Sequence, residues 1–420
     1  MNDGSIRSVR ALEVLDSRGN PTVKVCVTTE GGHTGEAMVP SGASTGQYEA
    51  YELRDGDRHR YFGKGVLKAV SHVEGSLFSA VAGLDARNQE QIDSLLCGVD
   101  GTENKEKMGA NAILGLSMAI ARAGAAVAGV PLWEHLSADK RYRLPVPMMN
   151  ILNGGAHSDN PLDIQEFMIL PVGARDFTDA LRMGAEIYHT LGKELKKRGL
   201  SSGVGDEGGF APALPDTEDA LECIECAIKS AGYSTADVRI SLDVAASEWS
   251  VEDGYRMPKS GKEYTTDAWI EEIKALNQKH TFFSLEDPLG ENDMGGFRRL
   301  TAAVGEGCLI VGDDLFVTNT KRLEMGIRQG AANAILIKPN QIGTVSETLR
   351  VIELAKKNGY AYIISHRSGD TEDAFIADLA VATAAPLIKT GAPCRSERVA
   401  KYNRLLEIER TLGKNAFFGI

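Results

Sequence analysis

Residues 309–338 read LIVGDDLFVTNTKRLEMGIRQGAANAILIK. The stretch opens on a short apolar run, Leu309–Val311, and closes on another, Ala334–Ile337. Between them Thr320–Gln329 carries Leu323 and Ile327 four residues apart, the spacing of one helix face. Strand, helix, strand at this length reads as one βα unit of a parallel sheet. A charged residue stands just beyond each apolar run: Asp313 after the first and Lys338 after the second.

The pattern repeats in both directions. Apolar runs recur at Ile164–Leu170, Val238–Val244, Phe282–Leu285, Tyr362–Ile364 and Pro386–Ile388. Amphipathic helices are expected over Asp176–Lys197, Asp216–Ala231, Asp267–Gln278 and Val345–Asn358. The run ends carry Asp243, Glu286, Asp313, Lys338, His366 and Lys389 in turn. A charged residue directly after an apolar strand sits where the strand leaves the sheet, at the C-terminal face where α/β folds assemble active sites. The expected fold class is therefore α/β, with a cluster of chemistry on one rim.

The first third differs. Val23, Val25 and Val27 alternate with Thr22, Lys24, Cys26 and Thr28 between the Gly19-Asn20-Pro21 and Gly31-Gly32 turns, and a further strand follows at Gly35–Val39. Helical patterns run from about Lys64 to Val81, Asn88 to Leu96 and Ala110 to Ala128, making an α+β unit. Pro145 and Pro147, after the charged stretch Asp139–Arg143, mark a junction, with domains expected at 1–138 and 139–420.

Composition narrows the function classes. The chain has 420 residues, 43% hydrophobic and 25% charged, enough to bury a large core. Its formal net charge of −12 makes it a poor non-specific binder of nucleic acid or anionic membrane, since it repels phosphates. The apolar stretch from Met108 to Val130 is interrupted by Asn111 and Arg122 and reads as a buried helix rather than a membrane span. The N-terminal segment, with Asp3, Arg7, Arg10, Glu13 and Asp16, lacks the apolar centre of a signal peptide. Six sparse cysteines are expected as reduced thiols in a cytoplasmic protein. Cys223 and Cys226 form a CxxC inside a helix, with no second pair to complete a zinc or redox site.

Asp243, Glu286 and Asp313 are three like charges on one rim. Either a hard divalent cation neutralises them, with Mg2+ the natural partner of an all-carboxylate set, or they are three separate capping acids. Lys338 and Lys389 join them. A lysine near another lysine and a metal loses pKa and becomes a general base, whereas the plainer reading makes both salt-bridge partners. Gly203-Val-Gly-Asp-Glu-Gly208 matches GxGxxG but follows a helix rather than a strand, so it reads as a shaped loop presenting Asp206 and Glu207. Ser41-Gly-Ala-Ser-Thr-Gly46 is a hydroxyl-rich loop suited to a phosphate or metal, or a plain surface turn. His366, Arg367 and Ser368 share a strand-end loop suited to an oxyanion, and His157 lies in the Gly154-Gly-Ala-His157 loop.

Across nearly its whole length the chain resembles the enolase family. The matching segments are LDSRGNPTV (15–23), VPSGASTG (39–46), GANAILG (109–115), PVPMMNILNGGAH (145–157), DIQEFMI (163–169), GDEGGFAP (205–212), LDVAASE (242–248), LEDP (285–288), VGDDL (311–315), KPNQIGT (338–344), SHRSG (365–369) and IKTGAP (388–393). The resemblance implies an N-terminal α+β lid domain on a modified eight-fold α/β (TIM-like) barrel. It implies Mg2+-dependent interconversion of 2-phosphoglycerate and phosphoenolpyruvate by a cytoplasmic homodimer or homo-octamer. By motif, Asp243, Glu286 and Asp313 would hold one Mg2+ and Ser41 would help bind a second. Lys338 would be the base and Glu207 the acid, supported by Glu166. His157, Gln165 and His366 would line the substrate pocket, Arg367 and Ser368 would grip the phosphate, and Lys389 the carboxylate. Ala213, Met294, Asp370 and Pro386-Leu387 depart from the usual family pattern. They motivate two other readings: a paralogue acting on a related phosphorylated or phosphonate acid, and a non-catalytic binding protein on the same scaffold.

Overall fold

The structure, a computed structural model, describes residues 2–42 and 46–420. Strands β1 (Ile6–Leu15), β2 (Pro21–Thr29) and β3 (Thr34–Met38) form an antiparallel sheet in that order. Val23, Val25 and Val27 are buried, as their alternation requires. Behind the sheet lie α1 (Gln89–Asp100) and α2 (Ala110–Ala128). The apolar stretch that contains α2 is a core helix, and its backbone runs so close to β3 that a Cβ on Gly35 would lie 2.1 Å from the Ala119 carbonyl oxygen. Only glycine fits there.

The second unit is a closed eight-strand barrel. Its strands are β4 (Val146–Asn153), β5 (Glu166–Leu170), β6 (Arg239–Asp243), β7 (Ser284–Glu286), β8 (Leu309–Gly312), β9 (Ala334–Ile337), β10 (Ala361–Ser365) and β11 (Leu387–Lys389), ordered β7-β8-β9-β10-β11-β4-β5-β6 round the ring. Two features differ from the sequence reading. The junction prolines lead into β4, a barrel strand in its own right, buried along its whole length and so without the alternation that would have marked it. The sheet is also not wholly parallel, for β5 runs antiparallel to β4 and to β6. The reason is local. Residues 154–165 hold only one 3-10 turn, Gly155–His157, and so short a link returns the chain as a hairpin rather than a crossover. Two helices, α3 (Phe177–Lys197) and α4 (Thr217–Ser230), then precede β6, after which strands and helices alternate.

The outer helices α5 (Thr266–His280), α6 (Met294–Val304), α7 (Thr320–Gln329) and α8 (Val345–Lys357) each start on a polar cap. Thr265, Asp293, Asn319 and Thr344 accept the first-turn amides, as Asp176 and Asp216 do for α3 and α4. Each cap is worth about 1 kcal/mol. The helices α9 (Phe375–Ala382) and α10 (Ser396–Leu412) complete the wall. Inside the barrel Val146, Met148, Met168, Leu170, Val311, Ala334, Leu336, Ile363 and Leu387 pack into an apolar plug. The polar strand ends are thereby left at the opposite mouth. Cys223 is buried and Cys226 half-buried on α4, both as free thiols.

Candidate active site

The strand-end charges meet at that mouth. Asp243 ends β6, Glu286 ends β7, Asp313 follows β8, Lys338 follows β9, His366–Ser368 follow β10 and Lys389 ends β11. The reversed strand adds a residue that strand-end counting misses. Because β5 runs backwards, its first residue, Glu166, lies on the same rim, in register with Asp243. Glu207 arrives on the Gly-rich loop, which is pinned to β4 by Phe210 N to Ile151 O at 2.9 Å and by Asn153 N to Phe210 O at 2.8 Å. All of these groups except Glu286 line one cavity, together with His157, Gln165, Asp287 and Asp314.

The acids are shared between two lysines. Lys389 Nζ stands 3.0 Å from Asp243 Oδ2, 2.8 and 2.9 Å from the Glu286 oxygens and 3.1 Å from Glu166 Oε2. Lys338 Nζ pairs with Asp313 Oδ2, whose other oxygen accepts from Gln341 Nε2 at 2.9 Å. Gln165 Nε2 donates to Asp243 Oδ2 at 3.4 Å. His157 Nδ1 lies 3.6 Å from Glu166 Oε1. The buried Arg367 guanidinium grips Glu49 at 2.8 and 3.1 Å, and Ser368 is buried on the cavity wall.

Ser41 is placed otherwise. Its hydroxyl donates to Glu52 at 3.0 Å and accepts from Arg54 at 3.1 Å, and it does not line the cavity. Its backbone pairs with Gly369, which ties the end of the segment after β3 to the loop after β10. Ala43, Ser44 and Thr45 of that loop lie outside the described residues.

Burial sets the titration. Burial, and then the Glu207 charge, drive Glu166 well above the carboxylate range. Burial also raises Glu207, but His366, His157 and Arg398 outweigh it and hold it well below. Burial lowers His366 to about 4. Of the carboxyl pair, Glu166 therefore holds a proton more readily than Glu207. With no metal ion beside them, both lysines shift upward. Burial lowers both, but the touching carboxylates outweigh it: Asp313 raises Lys338, and Asp243, Glu166 and Glu286 raise Lys389. Direct contact with a carboxylate beats the more distant repulsion between ammonium groups.

The donor set fits a hard divalent cation. Burial and mutual repulsion push Glu286 and Asp287 well up and Asp314 to about 8, so the mouth carries more acid than its lysines neutralise. Among the described residues, two groups offer ligand atoms within 4.8 Å of one another: Asp287 with Asp313 and Asp314, and His157 with Glu166 and Glu207. Asp243 and Glu286 meet at the Lys389 ammonium, and Asp313 pairs with Lys338. Sequence reasoning missed Asp287, Asp314, Glu49 and Arg398. The first two sat unexamined inside LEDP and VGDDL. Glu49 and Arg398 carried no signal, since only the fold brings them to the mouth. The departures Ala213, Met294, Asp370 and Leu387 do not line the cavity.

Residues 6–136 match the family model described as the enolase N-terminal domain, and residues 141–419 match that of the enolase C-terminal TIM barrel domain. Members of this family generally use Mg2+, in keeping with the acidic clusters. With nearly every residue covered by the two matches in succession, the chain belongs to the enolase family.

Proposed function

We propose that the protein dehydrates 2-phosphoglycerate reversibly to phosphoenolpyruvate, using Mg2+. The observation that carries this reading is the placement of a lysine and a carboxyl pair across one cavity. Lys338 follows β9 and Glu166, beside Glu207, opens β5, four strands away round the eight-strand ring. A base and an acid so placed act on opposite faces of a small substrate, which suits an anti elimination.

Arg367 and Ser368 bind the phosphate and Lys389 the carboxylate, while His157, Gln165 and His366 line the pocket. Lys338, as the neutral amine, takes the proton from C2. The electron pair left behind becomes the C2–C3 double bond as the C3–O bond breaks. Glu166, the member of the pair that holds a proton more readily, passes it to Glu207, which hands it to the departing hydroxyl, and the hydroxyl leaves as water. Mg2+ held by Asp243, Glu286 and Asp313 would neutralise the second negative charge that builds on the substrate carboxylate and draw the Asp313 charge away from Lys338. The same reading takes a second Mg2+ at the lid loop that Ser41 opens. It makes the protein a cytoplasmic homo-oligomer, dimer or octamer, whose partner is the small phosphorylated acid rather than nucleic acid or membrane.

Purified protein given 2-phosphoglycerate and Mg2+ is expected to develop the ultraviolet absorbance of phosphoenolpyruvate. No signal above a Lys338→Ala control refutes the reading.

A further inference from the structure

We propose that Arg398 is a positioning residue that fixes the tautomer of His366 and so turns an imidazole N–H towards Glu207. Arg398 lies in the first turn of α10, and its side chain is fully buried. Its Nη1 is 2.7 Å from His366 Nδ1 and 2.5 Å from the Arg367 carbonyl oxygen. Its Nη2 is 2.6 Å from the Ser368 carbonyl oxygen and 3.1 Å from that of Asp206.

The argument is one of donors and acceptors. A guanidinium only donates, and it does not lose its proton in proteins. His366 Nδ1 must therefore accept, which requires a bare lone pair on that nitrogen. The single ring proton is left on Nε2, 3.2 Å from Glu207 Oε2. A ring protonated on both nitrogens would turn an N–H against the guanidinium. The orienting partner of a functional histidine commonly decides which nitrogen faces the chemistry.

The same side chain sets the register of two loops. The Asp206 carbonyl belongs to the Gly-rich loop that carries Glu207, whereas those of Arg367 and Ser368 belong to the loop after β10. One turn along α10, the buried Lys401 donates to Asp370 Oδ1 at 2.8 Å and to the Thr371 carbonyl at 2.5 Å. Asp370 Oδ2 in turn accepts from the Arg367 amide at 3.2 Å. The departure at Asp370 is thus part of a brace beneath the site. The tautomer stands on geometry alone. Its catalytic consequence rests on the proposed role of Glu207.

Nitrogen-15 NMR of the full chain with labelled histidine reads the tautomer directly, with His366→Gln identifying the signal. In the unaltered protein His366 is expected to show an unprotonated Nδ1 and a protonated Nε2. A protonated Nδ1 overturns the proposal, and this measurement needs no variant to fold. In Arg398→Ala the preference is expected to disappear. The kcat on 2-phosphoglycerate is expected to fall roughly 10- to 100-fold, the usual cost of removing an orienting partner, with KM little changed. Added guanidinium should restore part of both. A folded Arg398→Ala protein that keeps the original His366 spectrum also overturns the proposal. If the tautomer is as expected but the unaltered protein does not turn over 2-phosphoglycerate, the functional reading fails while the positioning role stands.

Discussion

The Lys389 ammonium on β11 reaches across the barrel mouth to both carboxylate oxygens of Glu286 on β7, at 2.9 and 2.8 Å, from four strands away in the ring. Asp243 and Glu166 share the same ammonium. All four side chains are buried, so removing the lysine strands three acids in low dielectric. Lys389→Met is expected to lower stability at neutral pH by about 3–5 kcal/mol, the range for breaking a buried pair. Mg2+ should recover part of the loss. Thermal unfolding with and without Mg2+ checks this, and an equal loss in both conditions counts against a cation site at these acids.

Base and acid separate in isotope exchange. Lys338→Ala is expected to lose exchange of the C2 proton of 2-phosphoglycerate with deuterated water, together with turnover, by about 10²–10⁴-fold. Glu207→Gln should lose turnover but keep exchange, because Lys338 acts first. Equal loss of exchange in both variants contradicts the assignment of roles.

Asp314 makes the metal-free protein pH-sensitive. Its folded pKa is raised from 3.8 to about 8, by burial first and Asp313 second. The folded state therefore binds the proton more tightly than the unfolded one. Its contribution to stability is fully present below about pH 4 and is lost as pH rises towards 8, at up to about 1.4 kcal/mol per pH unit. Asp314→Asn should flatten that slope in denaturant unfolding carried out with a chelator. An unchanged slope disproves the claim.

Glu49 occupies the guanidinium that the proposed phosphate needs. Its oxygens lie 2.8 and 3.1 Å from Arg367. Glu49→Gln removes the competing charge and is expected to tighten binding of inorganic phosphate by roughly tenfold, about 1.4 kcal/mol. Calorimetric titration of the two proteins decides, and unchanged or weaker binding rejects the competition.

Gly35 tests the packing of the N-terminal domain. A methyl there meets the Ala119 carbonyl at 2.1 Å and the Ala123 amide nitrogen at 2.4 Å, both of them backbone. Gly35→Ala is expected to cost about 3 kcal/mol, the upper range for overpacking. A melting temperature within a degree or so of the parent rules out the close approach.

Much of the site was legible along the chain because a residue just past an apolar strand has few places to go. Asp243, Glu286, Asp313, Lys338, His366 and Lys389 were each visible in this way, and all reach the mouth. Strand direction was not legible. An apolar run has the same composition whichever way it is threaded, so the reversal of β5, and with it the reason Glu166 lies on the rim, emerged only from the hairpin. Wholly buried β4 hid for a related reason: with both faces covered, its residues do not alternate.

By itself the sequence determined the alternation of strand and helix, the caps that start the helices and the chemical inventory of one rim. These are local matters of hydrophobic period and hydrogen-bond donors. Only the closed barrel decided which charge meets which. Closure brings strands four apart face to face, so Lys389 finds Glu286, Lys338 keeps to Asp313, and a buried arginine from the last helix reaches His366. Those pairings raise both lysines, because electrostatic energy depends on distance through space and not on distance along the chain.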